Sequence, residues 1–208
     1  MRTNIYIDGF NLYYGQLRGT PHKWLDPVKL FKLVLAPQNQ INKVKYFTAR
    51  VQPNPSDVDV HIRQDAYFRA LEAHCPLVEL HYGHFLRHKV RMENAQPPPA
   101  TWPVWKTEEK GSDVNLALHI LNDAWQNAFD CAVIVSNDSD LCESMNLVKQ
   151  HHPDKTLGLI TPGAPNRKTS QQLAIHADFK RSIRGSALAA SQLPNPIPGT
   201  TITKPATW

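Results

Sequence analysis

The sequence is poor in cysteine. Only Cys75, Cys131 and Cys142 occur, and no two of them form a CxxC pair. So sparse and odd a set excludes a disulfide framework, argues against structural zinc and fits reduced thiols in a cytoplasm. Long apolar runs are missing too: none approaches the roughly 18 residues that a bilayer span requires, so no membrane partner is expected. The opening MRTNIYIDGF lacks the apolar stretch and small-residue cleavage site of a secretory signal. There is no internal repeat. The charge imbalance is small, 23 Lys and Arg against 18 Asp and Glu, for a formal net charge of +5. That permits an anionic partner such as nucleic acid but does not demand one.

What is present suits one sizeable soluble domain. The chain has 208 residues, 41% hydrophobic and 20% charged, enough to bury a substantial core. Strands are expected over 3–8 (TNIYID), 44–51 (VKYFTARV), 77–85 (LVELHYGHF), 131–136 (CAVIVS) and 156–161 (TLGLIT). Helical patterns lie between them. Asp26-Pro27 opens one that runs to Leu35, with the acid as cap and proline in the first turn. Another ends near His74. From Ser112, apolar residues recur at helical spacing as far as Ala128, and further helices cover Leu141–Val148 and 170–177. LRHKVRM, following the third strand, alternates as a half-exposed strand or hairpin would. NAQPPPATWP, residues 94–103, reads as a loop outside regular structure. The domain is expected over 1–184. Residues 185–208, rich in Pro, Ser and Thr, have too little apolar surface to hold a fold of their own and are expected to be a disordered tail.

Strands alternating with helices imply a mainly parallel sheet covered on both faces. If the first three strands wind one way and the next two the other, the fourth lies beside the first, and ligands gather at the carboxyl ends between them. Asp8 ends the first strand, and Asp138 and Asp140 of VIVSNDSDL follow the fourth. Asp113, in KGSDVNLAL, opens a helix. Each acid also reads plainly as a helix cap or a first-turn charge. Together they form an oxygen-only ligand set suited to Mg²⁺ or Mn²⁺ and, through it, to metal-assisted phosphodiester hydrolysis.

YIDGFNLYYG, KGSDVNLAL and VIVSNDSDL, in that order, resemble the NYN domain in its LabA-like branch, within the PIN-like nuclease superfamily. YFRALE and VELHYGHF look like that branch as well. The resemblance covers about residues 3–180. It implies a Rossmann-like α/β/α sandwich with a mainly parallel sheet of five or six strands, and a divalent-metal-dependent endoribonuclease. Carried over, Asp8, Asp113, Asp138 and Asp140 match the metal-binding acids. Asn11 matches the asparagine of the DGxN motif, and Ser136 the hydroxyl residue before DxD; these two complete the catalytic set by orienting ligands or phosphate. Lys110 of KGxD could touch phosphate, and reads equally as a solvated loop lysine. Many relatives carry a further aspartate where this chain has His119. Six residues from Asp113 is not the same helix face, so His119 is read as a surface or core histidine.

Arg87, Lys89 and Arg91 alternate, and so share one face of a strand on which RNA could run. His84 and His88 lie near that face. Trp102 and Trp105 could stack on unpaired bases. The plain readings are a solvated charged strand and aromatics closing a sheet edge. Lys204, in a tail with no acids, adds weak attraction for RNA. The oligomeric state stays open, a homodimer included. Two other functions compete: a non-catalytic RNA-binding or regulatory module on the same fold, and a glycosyltransferase using Asp138-Ser139-Asp140 as its DxD. The latter leaves Asp8, Asn11 and Asp113 without a role.

Overall fold

Short runs of β-branched and aromatic residues set the architecture. A computed structural model describes residues 1–163 and 168–208. Six strands form one sheet: β1 (Arg2–Asp8), β2 (Gln40–Thr48), β3 (Val78–Tyr82), β6 (Cys131–Val135), β7 (Thr156–Ile160) and β8 (Phe179–Arg181). A separate pair, β4 (His84–Glu93) and β5 (Thr101–Lys110), is inserted after β3. The large sheet runs β3-β2-β1-β6-β7-β8, and every neighbouring pair is parallel. With the inserted pair set aside, this is the doubly wound order 3-2-1-4-5-6, whose switch point lies between β1 and β6.

Helices cover both faces: α1 (Gly9–Leu12), α2 (Pro27–Val34), α3 (Val60–His74), α4 (Ser112–Trp125), α5 (Cys142–His151), α6 (Gln171–Ala174) and α7 (Gly185–Ala190). The pleat sorts side chains into two cores. Ile5, Ile7, Val133 and Val135 join one, with Trp24, Phe31, Tyr67 and Phe68. Tyr6, Phe47, Ala132 and Ile134 join the other, with Leu116, Ile120, Met145 and Val148. Alternation along β1 therefore aims Asp8, two residues past Tyr6, toward the face that carries α4 and α5.

Asp26 caps α2 as expected, its carboxylate accepting the Lys29 N–H at 2.9 Å. The sixth strand of the expected five or six is β8, a three-residue strand too short to show periodicity. Two expectations need correcting. First, Trp102 and Pro103 belong to β5, not to a loop. Proline is tolerated there because a two-stranded sheet is all edge. Second, the tail over 185–208 is packed, not disordered. Leu188, Leu193 and Ile197 are buried. The Trp24 indole donates to the Pro194 carbonyl at 3.0 Å, and Leu25 bridges Gln192. Lys204 donates to the Pro21 carbonyl at 3.1 Å. The segment is too apolar-poor to fold alone, but a few well-spaced apolar residues suffice to dock on a face already built.

A candidate metal-binding cluster at the switch point

Asp8, at the last position of β1, is 3% exposed. Its Oδ1 accepts the Asn11 backbone N–H at 2.9 Å, so it does cap α1. Its Oδ2 accepts the Asn11 amide at 2.6 Å and the Ser136 hydroxyl at 2.8 Å. A carboxylate offers about four lone-pair sites. Asp8 is thus held in one rotamer with one site still open. Ser136 lies just past β6, and its Oγ also accepts the Asp138 N–H at 3.1 Å. One hydroxyl therefore ties together two acids that lie far apart in sequence, across the β1–β6 junction. Asp138 Oδ1 in turn accepts the Asp140 N–H at 3.0 Å and caps the turn Ser139–Leu141. Asp140 is exposed.

Asp113 joins them from the first turn of α4. Its carboxyl is pushed up to about 6 by burial first, and then by the charges of Asp8, Asp138, Glu109 and Asp140. Asp8 is also raised, chiefly by burial, against the opposing pull of its Asn11 and Ser136 hydrogen bonds. The charges of Asp8, Asp138 and Asp140 thus reach Asp113, and Asn11 and Ser136 brace Asp8. Capping and clustering coexist in the same carboxylates.

Glu109 was missed. It lies at the end of β5, and its two oxygens accept the Ser112 N–H at 3.1 Å and hydroxyl at 2.7 Å. It fixes the start of α4, and with it Asp113. The signal was available: an acid three residues before Ser112, the first residue of the expected helix. Gly83 makes the approach possible. A Cβ there would stand 2.2 Å from Glu109 Oε1 and 2.5 Å from the Lys110 carbonyl. Gly111 sits at φ +96°, a left-handed turn that suits glycine.

Among the described residues, no group of three or more His, Cys, Asp or Glu side chains is arranged to hold a metal ion. The carboxylates at the switch point offer oxygen donors alone, the chemistry that Mg²⁺ or Mn²⁺ takes with one or two direct carboxylates and several waters, and not that of a zinc cage.

The basic residues lie elsewhere. Lys110 is 3.4 Å from Glu108 at the base of the β4–β5 arm. Arg87, Lys89 and Arg91 sit opposite Thr107, Trp105 and Pro103. The Arg87 and Lys89 cations lie 4.9 and 5.2 Å from the Trp105 ring centre. Trp102 is on the opposite face of the arm. None of these cations pairs with the four clustered acids among the described residues.

His119 lies outside the cluster, within a buried network on the same sheet face. Its Nδ1 is 3.2 Å from the Lys45 ammonium, and its ring lies 4.2 Å from His81. Lys45 pairs with Asp123 at 2.7 Å, and Asp123 also accepts the Tyr6 hydroxyl at 2.7 Å. Burial, then the Lys45 charge, lowers the His119 pKa and favours a neutral ring.

Carboxylates gathered at the switch point of a doubly wound parallel sheet define a Rossmann-like α/β protein of the PIN-like type. Residues 2–181 match the model of the NYN domain, and the chain belongs to that family. It is also 37% identical, over 236 aligned positions, to the 6-hydroxy-3-succinoylpyridine 3-monooxygenase HspA of Pseudomonas putida (strain DSM 28022 / S16). That match covers 100% of this chain and 75% of the relative. A crystal structure of a protein of unknown function from Vibrio parahaemolyticus RIMD 2210633 has the same fold, with a TM-score of 0.54 at 20% identity. The match covers 88% of this chain and 93% of that one.

Proposed function

We propose that the protein is a divalent-metal-dependent endoribonuclease of the LabA-like branch, acting on RNA in the cytoplasm. The observation that supports this best is that the charges of Asp8, Asp138 and Asp140 reach Asp113, and that of Asp138 reaches Asp8, at the switch point, in a chain of the NYN family. Asp8, Asp113, Asp138 and Asp140 would hold Mg²⁺ or Mn²⁺, directly or through water. An ion of this kind would activate a water for attack and offset the negative charge that develops on the phosphoryl oxygens.

The protein's own groups do the positioning. Asn11 and Ser136 fix the Asp8 carboxylate, so its open lone pair keeps one direction. Ser136 holds the Asp138 backbone at the same time. Glu109 orients the first turn of α4 and so the Asp113 carboxyl. A proton on Asp113 would have to leave before it could serve as a ligand, so metal binding should weaken as pH falls. Arg87, Lys89 and Arg91 beside Trp105 suit an unpaired RNA strand, with cations for phosphate and an exposed ring for bases. Lys110 would serve phosphate only on leaving Glu108.

The test is cleavage of labelled single-stranded RNA with Mn²⁺ or Mg²⁺. It compares wild type, wild type with EDTA, and Asp140→Asn. Cutting that is lost in EDTA and in the variant supports the proposal. No cutting, with equal RNA binding by both proteins, would leave a non-catalytic RNA-binding module.

A second reading comes from the relative named a monooxygenase, which matches this chain along its whole length. On that reading the chain is a monooxygenase acting on a hydroxypyridine acid. Oxygen uptake dependent on 6-hydroxy-3-succinoylpyridine, without RNA cleavage, would favour it.

A further inference from the structure

A cavity of about 650 Å³ opens at the carboxyl ends of β1 and β2. Its size is that of a small-ligand site. It shares Gly9 and Phe10 with the segment that follows Asp8. Its other walls come from the opposite sheet face to the acids, since Tyr46, Tyr67 and Phe68 belong to the Trp24 core. The docked tail completes it: Trp208 lines the cavity, its ring 5.8 Å from Tyr67 and 6.4 Å from Trp24.

The lining is aromatic with a cationic rim. Phe10, Tyr13, Tyr14, Tyr46 and Trp208 present ring faces or edges. Arg18, Lys23 and Arg63 stand against one carboxylate, Asp57. Arg63 is paired with Asp57, whereas Lys23 makes no ion pair among the described residues. Tyr46 supplies a second, independent observation. It is 5% exposed, lines the cavity, and its hydroxyl bonds to no described residue. The hydroxyl is not sealed from solvent, and it lies close enough to Asp8 to feel that charge. Tyr67, by contrast, donates to the Leu25 carbonyl at 2.9 Å.

We propose that this cavity binds a planar heteroaromatic ring carrying an anionic group. The ring stacks among the aromatic walls, the Tyr46 hydroxyl takes a polar ring atom, and Lys23 meets the anion. The chemistry is common to a nucleotide and to a small heteroaromatic acid. The site opens on the sheet face opposite the acids, though it borders Asp8 through Gly9 and Phe10, and it needs no metal, so its binding can be tested apart from RNA hydrolysis.

Binding would be measured by calorimetry on the full chain in EDTA, with two probes: adenosine 5′-monophosphate and 6-hydroxypyridine-3-carboxylate. At least one should bind. Lys23→Ala, at the half-buried rim, should weaken it about tenfold, and Ser56→Trp, an exposed rim position enlarged to block the entrance, should abolish it. Binding of the nucleotide alone assigns the site to nucleic acid or its products, and binding of the pyridine alone to a free small molecule; either supports the proposal. No binding of either probe at millimolar concentration, or binding unchanged in both variants, overturns it.

Discussion

The switch point and the β4–β5 arm both carry sequence-derived functional residues, but they are held in opposite ways. At the switch point, Asp8 is locked by three hydrogen bonds and is buried. On the arm, Trp102, Trp105, Leu86 and Met92 are about half exposed. The two strands pair only with each other. A lone hairpin is marginal in water, so the arm depends on how its base is fixed. Rigid placement suits groups that must hold a charge at one point. A loosely held arm suits a surface that adapts to a flexible polymer.

The largest expected effect tests the joint between the two. Gly83 separates β3 from β4, and its N–H donates to the Thr48 carbonyl at 2.7 Å. In Gly83→Ala the new methyl would collide with Glu109 and with the Lys110 backbone, and a backbone atom cannot simply rotate away. We expect a loss of about 1–3 kcal/mol in stability, measured by urea denaturation, with metal affinity falling as the start of α4 moves. An unchanged midpoint would mean that arm and cluster are mechanically independent.

A middling effect isolates the arm. With Arg87, Lys89 and Arg91 all replaced by alanine, RNA affinity should fall about tenfold, and the salt slope should drop by about 2, near 0.7 per lost phosphate contact on a single strand. Thermal stability should stay within about 0.5 kcal/mol. Unchanged affinity and slope would return the arm to a solvated charged hairpin.

The same contrast governs what could be read from the sequence. The parallel sheet and the place of β6 beside β1 follow from local patterns: buried strands joined by helices, with Asp8 ending β1 and Asp138 and Asp140 shortly after β6. Gly83 was not legible, because its role arises where β3 meets α4 across a hairpin whose length no periodicity fixes; Glu109 could be read only as an acid three residues before Ser112. Trp102 and Pro103 were hidden by the neighbouring prolines, which argue for a loop unless the strand lies at an edge. The tail was misread because composition measures whether a segment can fold by itself, whereas Leu188, Leu193 and Trp208 need only a face to dock on. The network of Lys45, His119, Asp123 and Tyr6 depends on pairings between β1, β2 and α4 that spacing alone leaves open.

The smallest expected effect tests whether the cluster is as crowded as its geometry implies. The Asp113 carboxyl lies at about 6 against an ordinary 3.8, raised by burial and by its acidic neighbours. The folded chain therefore holds this proton more tightly than the unfolded chain. That contribution to stability is complete below about pH 3.8 and is lost as pH rises through about 6. Ionised Asp113 thus costs stability at pH 8. Asp113→Asn, which cannot ionise, should be more stable than wild type there in EDTA, by about 1 kcal/mol once partial exposure is allowed for. The difference should vanish near pH 4. Adding Mn²⁺ should reverse the order at pH 8, because the cation relieves in wild type the repulsion that the variant already lacks. Melting curves at the two pH values, with and without metal, would read all of this. A variant less stable than wild type at pH 8 in EDTA would mean that Asp113 is held by favourable partners instead of crowded by its neighbours, and the cluster would lose its claim to a shared cation.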